Sequence, residues 1–190
     1  RGLNISWRPP NGVRIDTLDE QLVELMQRSG CYLLGFGIES ADREVLKRTK
    51  KRLDLDRVAD LVSMIKRRGI VTFGYFILGL PGETLRSGLT TIRYAATSDL
   101  DLAHFGLYAP YPGSADFDHA RNLPGMHDWD NYLFITPFPG SDLSPMIQKT
   151  LLRLAYPSFY LKPARMRLLA RMMGPRQVLE ATRTFFHYMV

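Results

Sequence analysis

Apolar positions in this chain follow two rhythms, one of period two and one of period 3.6, and the two alternate. Short apolar runs begin near residues 3, 32, 70 and 102 and predict strands. Between them Leu18, Leu22, Leu25 and Met26, then Val45 and Leu46, then Val58, Leu61, Val62 and Ile65, and then Leu85, Leu89, Ile92 and Ala96 fall at helical spacing. The boundaries carry their own signals. Thr17-Leu18-Asp19-Glu20 has the form of a capping box, Asp54 or Asp56 can cap the third helix, and Gly69 fits the position just past its end. Thr84 can cap the fourth.

The most informative stretch is residues 69–84, Gly-Ile-Val-Thr-Phe-Gly-Tyr-Phe-Ile-Leu-Gly-Leu-Pro-Gly-Glu-Thr. No charge interrupts residues 70–82, so the run predicts a strand covered on both faces, and it is too short for a membrane span. Gly79, Pro81 and Gly82 then turn the chain into a helix start, a combination that makes a polar pocket at the carboxyl end of a sheet. Glu83 on that rim disfavours phosphate and suits a ligand offering amines, hydroxyls or a positive centre. Repeated strand–helix units predict a parallel sheet with right-handed crossovers, either a barrel or an open doubly wound sheet. Glu39-Ser40, residues 79–83 and residues 110–114 all lie just past strand ends, which favours the barrel.

Composition narrows the setting. The 190 residues, 45% hydrophobic, are enough for one sizeable core and an appended helical piece. A single cysteine, Cys31, excludes an internal disulfide and any zinc or iron–sulfur site built from several thiolates of this chain, and it suits a reducing, cytoplasmic compartment. Residues 1–140 hold 17 basic and 17 acidic side chains, whereas residues 141–190 hold 8 and 2, so the net charge of +6 belongs to the end of the chain.

Several motifs in order carry a resemblance. Gly35-Phe36-Gly37-Ile38-Glu39-Ser40, then Leu46 with Lys50 and Lys51, then Phe76-Ile77-Leu78-Gly79-Leu80-Pro81-Gly82-Glu83-Thr84, then Pro110-Tyr111-Pro112-Gly113-Ser114 resemble the second half of a radical S-adenosylmethionine (radical SAM) core domain. The resemblance covers residues 1–118 and is greatest to the branch in which a cobalamin-binding domain precedes the core. It implies an α/β fold, a partial (βα) barrel of parallel strands with an α-helical C-terminal extension. It also implies S-adenosylmethionine and a [4Fe–4S] cluster as cofactors, cobalamin as a third, and radical chemistry on a small-molecule or lipid-like substrate. By the same resemblance Glu39 and Ser40 meet the ribose or methionine part of the nucleoside, Ile77 and Gly79 pack against adenine with Glu83 nearby, and Tyr108 and Pro110 border its edge. A methyl group on Gly79 would then intrude on the ligand. The cluster motif of three cysteines is absent from these residues, so the cluster ligands, the first strands and any cobalamin domain are expected in a missing N-terminal half, and the chain alone is expected to be inactive.

Plainer alternatives stand beside these readings. The glycine-rich turn can serve chain reversal alone, and Glu39 can cap the next helix or pair with a basic neighbour. Cys31 suits core packing. His104, inside an apolar strand, suits a hydrogen-bonded core histidine, although a barrel-facing tilt would bring it near substrate; His119, His127 and His187 have no metal spacing and no assigned role.

Three regions follow: the partial core at 1–118, an irregular connection at 119–145 able to lie over the barrel mouth, and a basic helical extension at 146–190. In that extension Leu161, Met166, Leu168, Leu169 and Met172 mix with Lys162, Arg165, Arg167 and Arg171. The mixture suggests either a helical piece packed on the barrel or a peripheral contact with anionic membrane or a partner protein. No nucleic-acid module is present, and no nucleic-acid partner is expected.

Overall fold

The structure, a computed structural model, describes residues 3–123, 126, 128–138 and 140–174, together with 177 and 180. Three parallel strands, β1 (Leu33–Glu39), β2 (Val71–Leu78) and β3 (Leu102–Leu107), lie side by side in chain order. Helices α1 (Glu20–Arg28), α2 (Arg43–Arg48), α3 (Leu55–Arg67), α4 (Leu85–Thr97), α5 (Ala115–Ala120), α6 (Pro145–Tyr160) and α7 (Pro163–Met172) complete the described architecture. The α3 and α4 crossovers give the βα repeat of a partial barrel, as the sequence pattern predicts.

One face of the sheet is the core. Leu34, Phe36 and Ile38 of β1, Phe76 and Leu78 of β2, and Ala103, Phe105 and Leu107 of β3 are buried there with Val58, Val62 and Ile65 of α3 and Ile92 and Ala95 of α4. Helix α6 adds Leu151, Leu152, Ala155 and Phe159 to the same core. The other face, which would line the interior of a barrel, carries Phe73, Tyr75 and Ile77 of β2 and His104 of β3, all half-buried. Burial along β2 alternates strictly. This corrects the expectation of a strand covered equally on both faces: helices cover only one of them, and the uncharged run reflects an apolar barrel interior.

Two expectations near the start are also revised. The run at residues 3–7 forms no strand; Trp7 alone bridges to Cys31, its N–H donating to Gly30 O at 3.0 Å and its carbonyl accepting from Tyr32 at 3.1 Å. Pro9 and Pro10 lack amide hydrogens and end the ladder there, while Leu3 and Ile5 stay exposed. The cap of α1 is Asp19, whose Oδ1 accepts from Leu22 N–H at 2.7 Å, whereas Thr17 bonds back to Arg14 within a 3₁₀ turn. The helix buries Val23 and leaves Leu22 and Leu25 exposed, which also revises its expected apolar stripe. The other caps follow the sequence: Asp54 on α3, Thr84 on α4 through a reciprocal capping box with Ser87, and Gly69 past α3 with φ +73°.

The outer edge of β3 is closed in an unexpected way. Alternate backbone groups of an outermost strand point away from its neighbour and need partners. The phenol of Tyr160 accepts from Ala103 N–H at 3.0 Å and donates to Ala103 O at 2.8 Å; Tyr156, one turn earlier on α6, treats Phe105 likewise at 3.3 and 3.0 Å. Leu107 N–H donates to Phe134 O at 2.6 Å. The sequence shows these tyrosines only as amphipathic residues of a helix.

Candidate functional site

The carboxyl ends of the three strands carry the predicted residues, and the structure sorts them into three groups. Glu39 ends β1 at a bulge where the register with β2 shifts. Its φ is +67°, a left-handed conformation that a non-glycine residue adopts only when its surroundings impose it. Its carboxylate folds back over Gly37 and pairs with Lys51 Nζ at 3.2 Å, both side chains remaining partly accessible. Glu39 is not the cap of α2; Asp42 is, accepting from Glu44 and Val45. The basic neighbour considered in the sequence is therefore Lys51.

Gly79, Tyr108 and Pro110 form the second group. They share a cleft of about 190 Å³ with Asp116, Phe138 and Ser141. Tyr108 continues the strand ladder, its N–H donating to Leu78 O at 2.8 Å. Its hydroxyl donates to Asp116, and burial together with that carboxylate pushes the phenol well above its usual range. The connection after the barrel seats on this end of the sheet, as expected: Ser141 Oγ donates to Gly79 O at 3.0 Å, Gly82 N–H donates to Asp142 Oδ2 at 2.6 Å, and Phe134 rests on Gly106. Buried Gln148 joins the two ends of that loop, donating to Phe138 O at 2.9 Å and Leu143 O at 2.8 Å and accepting from Phe138 N–H.

The third group points away from the barrel interior. Ser40 is fully buried, with its hydroxyl 3.1 Å from Thr91 Oγ1 of α4 and accepting from Asp42 N–H. Glu83 is 1% exposed, so it is no rim carboxylate. Oε2 accepts from Gly79 N–H and closes the turn, while Oε1 is buried without a partner among the described residues. Desolvation raises its pKa to about 7, the Gly79 bond opposes that rise and the Asp42 charge adds to it. The expectation that a Gly79 methyl would intrude on a ligand is also revised. At φ +83° its added carbon would meet Gln148 Oε1 at 3.3 Å and Ser141 Oγ at 3.4 Å, so the glycine serves the turn and the loop packed on it.

Ile77, on the inner face opposite Gly106, is half-buried as a cofactor wall would require. Sequence reasoning missed Lys51 as the partner of Glu39, and Gln148, Ser141 and Asp142 as the loop's hold on the turn. Lys51 lies 12 positions from Glu39, and Asp142 and Ser141 lie 60 and 62 positions from the turn residues they hold, separations at which no local pattern records a contact. His104 is half-buried, as a hydrogen-bonded histidine facing the barrel interior, with Nδ1 3.2 Å from Tyr156 Oη. His119 lines the cleft at Gly79; His127 and His187 lie outside the described residues.

Of the two readings of the basic extension, Arg165 follows the helix packed on the barrel: it is 6% exposed. Its guanidinium donates to Leu100 O at 3.1 Å, Ala96 O at 3.1 Å, Phe159 O at 2.9 Å and Ser98 O at 2.7 Å, and lies 3.5 Å over the Phe159 ring. It neutralises the C-terminal carbonyls of α4 and α6 and is unavailable to phosphate. Among the described residues no helix is long and apolar enough to cross a membrane.

Comparison with known proteins agrees with this fold. Residues 10–95 match the Radical SAM superfamily. The chain is 37% identical over 170 residues to an uncharacterized methyltransferase of Pyrococcus horikoshii, covering 85% of this chain and 36% of that protein. It is 33% identical over 119 residues to the cytidylyl-2-hydroxyethylphosphonate methyltransferase of Streptomyces wedmorensis, covering 59% and 22%. Coproporphyrinogen III oxidase from Escherichia coli, a radical SAM enzyme, superposes with a TM-score of 0.55 at 20% identity, over 78% of this chain and 31% of that one. This chain belongs to the radical SAM superfamily, and it spans about a third or less of the length of these relatives.

The family's cofactors are S-adenosylmethionine and a [4Fe–4S] cluster, and these residues fit the first and not the second. Cys31 is 4% exposed at the amino end of β1, its thiol donating to Leu33 O at 3.6 Å, and burial raises its pKa. It lies at the wrong end of the sheet for a cluster, and among the described residues no group of metal-ligating side chains converges. The carboxyl end fits the nucleoside better: a partly exposed carboxylate at Glu39 and an apolar wall at Ile77 stand at adjoining strand ends.

Proposed function

We propose that this chain forms the S-adenosylmethionine-binding side of a radical SAM barrel and serves the radical-based modification, methyl transfer above all, of a small organic molecule in the cytoplasm. The observation that carries this reading is Glu39, held at φ +67° on the inner face of a strand end. Backbone strain of this kind costs about 1–3 kcal/mol and persists where the surrounding structure over-determines it, commonly at ligand sites. Glu39 offers a carboxylate to ribose hydroxyls or a ligand ammonium. Lys51 orients that carboxylate, and Ile77 provides a flat apolar wall one strand away. Glu39 and Ile77 would hold S-adenosylmethionine, which would supply the family's radical chemistry when bound. The methyltransferase relatives support methyl transfer, and the resemblance to the cobalamin-binding branch extends the proposal to cobalamin held by a domain outside these residues.

The test is Glu39→Gln in the complete protein. A charge-assisted hydrogen bond is worth about 1.5–3 kcal/mol, so affinity for S-adenosylmethionine should fall about ten- to a hundredfold by calorimetry. Stability should fall by less than about 1 kcal/mol, because the pair with Lys51 is partly exposed. Unchanged affinity would remove Glu39 from the site.

A further inference from the structure

On the inner face, away from the strand ends, His104 stands directly across from Tyr75 in the β2–β3 register, with ring centroids 6.4 Å apart. Phe134 meets the imidazole edge-on at 5.6 Å, and Phe73 lies 4.6 Å from Tyr75. These rings make an aromatic wall, and the imidazole is its only nitrogen-bearing member.

The protons on that imidazole can be placed from its neighbours. Tyr156 has one hydroxyl hydrogen and, among the acceptors of the described residues, Phe105 O at 3.0 Å and His104 Nδ1 at 3.2 Å within reach. Phe105 O lies on the open edge of β3, where a carbonyl without a donor is costly. Tyr160 makes the same pairing at Ala103, donating to that carbonyl at 2.8 Å. The Tyr156 hydrogen therefore goes to Phe105 O, and Nδ1 must carry the imidazole's own hydrogen and donate it to the phenol oxygen. Burial lowers the pKa of His104, so the ring is neutral at physiological pH. Nε2 is left as a bare acceptor, and among the described residues it meets no partner.

We infer that His104 Nε2 is the substrate-positioning acceptor of the barrel interior, and that the substrate class is a planar, largely apolar molecule presenting an O–H or N–H to it between Tyr75 and Phe134. The inference rests on this chain forming the S-adenosylmethionine-binding side of a barrel, as proposed above, with the inner face of the sheet as its reaction chamber. The edge-capping tyrosine thus has a second effect, fixing which nitrogen faces the substrate.

The experiment uses the complete protein labelled with ¹⁵N-histidine, with phenol as the planar donor probe and anisole, which lacks the hydroxyl hydrogen, as its control. Nitrogen shifts of His104 should report the Nδ1–H tautomer. Phenol should perturb Nε2 and bind at least tenfold more tightly than anisole, and His104→Phe should abolish that preference. An Nε2–H tautomer, or equal binding of phenol and anisole to the unaltered protein, would overturn the inference without relying on a variant that folds. Titration of the same sample with S-adenosylmethionine separates the two proposals. If that ligand binds and the histidine result is negative, this inference alone fails; if it does not bind, the reading of the chamber fails, whatever the tautomer.

Discussion

At the scale of single residues, the clearest departures from sequence expectation concern polar side chains whose direction no local pattern records. Glu83 reads as a rim carboxylate and is instead buried against the turn it closes. Its raised pKa has a thermodynamic consequence. Between its ordinary value of 4.5 and about 7 the folded state holds a proton that the unfolded chain has lost, so the group costs stability progressively as pH rises through that window and the full cost remains above it. The full effect is on the order of 3 kcal/mol. Glu83→Gln, which can still accept from Gly79 N–H, should therefore be more stable than the parent at pH 8 and lose that advantage by pH 4.5. Denaturant titrations at both pH values check this, and a pH-independent difference would contradict it. Glu39 was legible as a residue at a strand end, but its left-handed backbone was not, because strain is imposed by tertiary contacts that a sequence does not display.

Elements were more legible than their partners. The apolar runs beginning near residues 32, 70 and 102 and the helical stripe through Val58 survive in β1–β3 and α3, because a parallel strand and its crossover helix write their burial into local spacing, whereas α4 keeps only Ile92 of its expected stripe, leaving Leu85 and Leu89 exposed and burying Gly88, Thr91 and Ala95 instead. The segment at 3–7 was misread because alternation alone cannot supply ladder partners, and α1 because two capping residues, Thr17 and Asp19, stood close together. What α6 and α7 do was hidden for a different reason: their key contacts are with backbone. Tyr160→Phe should strand the amide and carbonyl of Ala103 at the edge of β3, costing about 1–3 kcal/mol and promoting association between copies, measurable by chemical denaturation and light scattering. Arg165→Ala should be more damaging, about 3–5 kcal/mol, since it leaves helix-end carbonyls without donors and empties the space over Phe159. Arg165→Lys should recover only part of that loss, because one ammonium cannot span the carbonyls that the planar fork reaches. An Arg165→Ala variant with parental stability and weakened binding to anionic vesicles would instead restore the lipid-binding view of this helix.

At the scale of the molecule, one sheet divides the chain's tasks. Its helix-covered face supplies the core, and its other face keeps half-buried rings and a strained carboxylate facing the barrel interior. The connection after β3 pins the glycine-rich turn of β2 from above through Ser141 and Asp142, so turn and loop form one packed unit. That arrangement predicts where ligand binding will be felt. The most direct measurement is hydrogen exchange of the complete protein with and without S-adenosylmethionine. Amides of residues 37–40, 77–80 and 107–109 should gain protection together, while the amino ends of the same strands, near residues 33, 71 and 102, stay unchanged. Protection confined to the amino ends, or none in these strands at a concentration that saturates binding, would contradict the account.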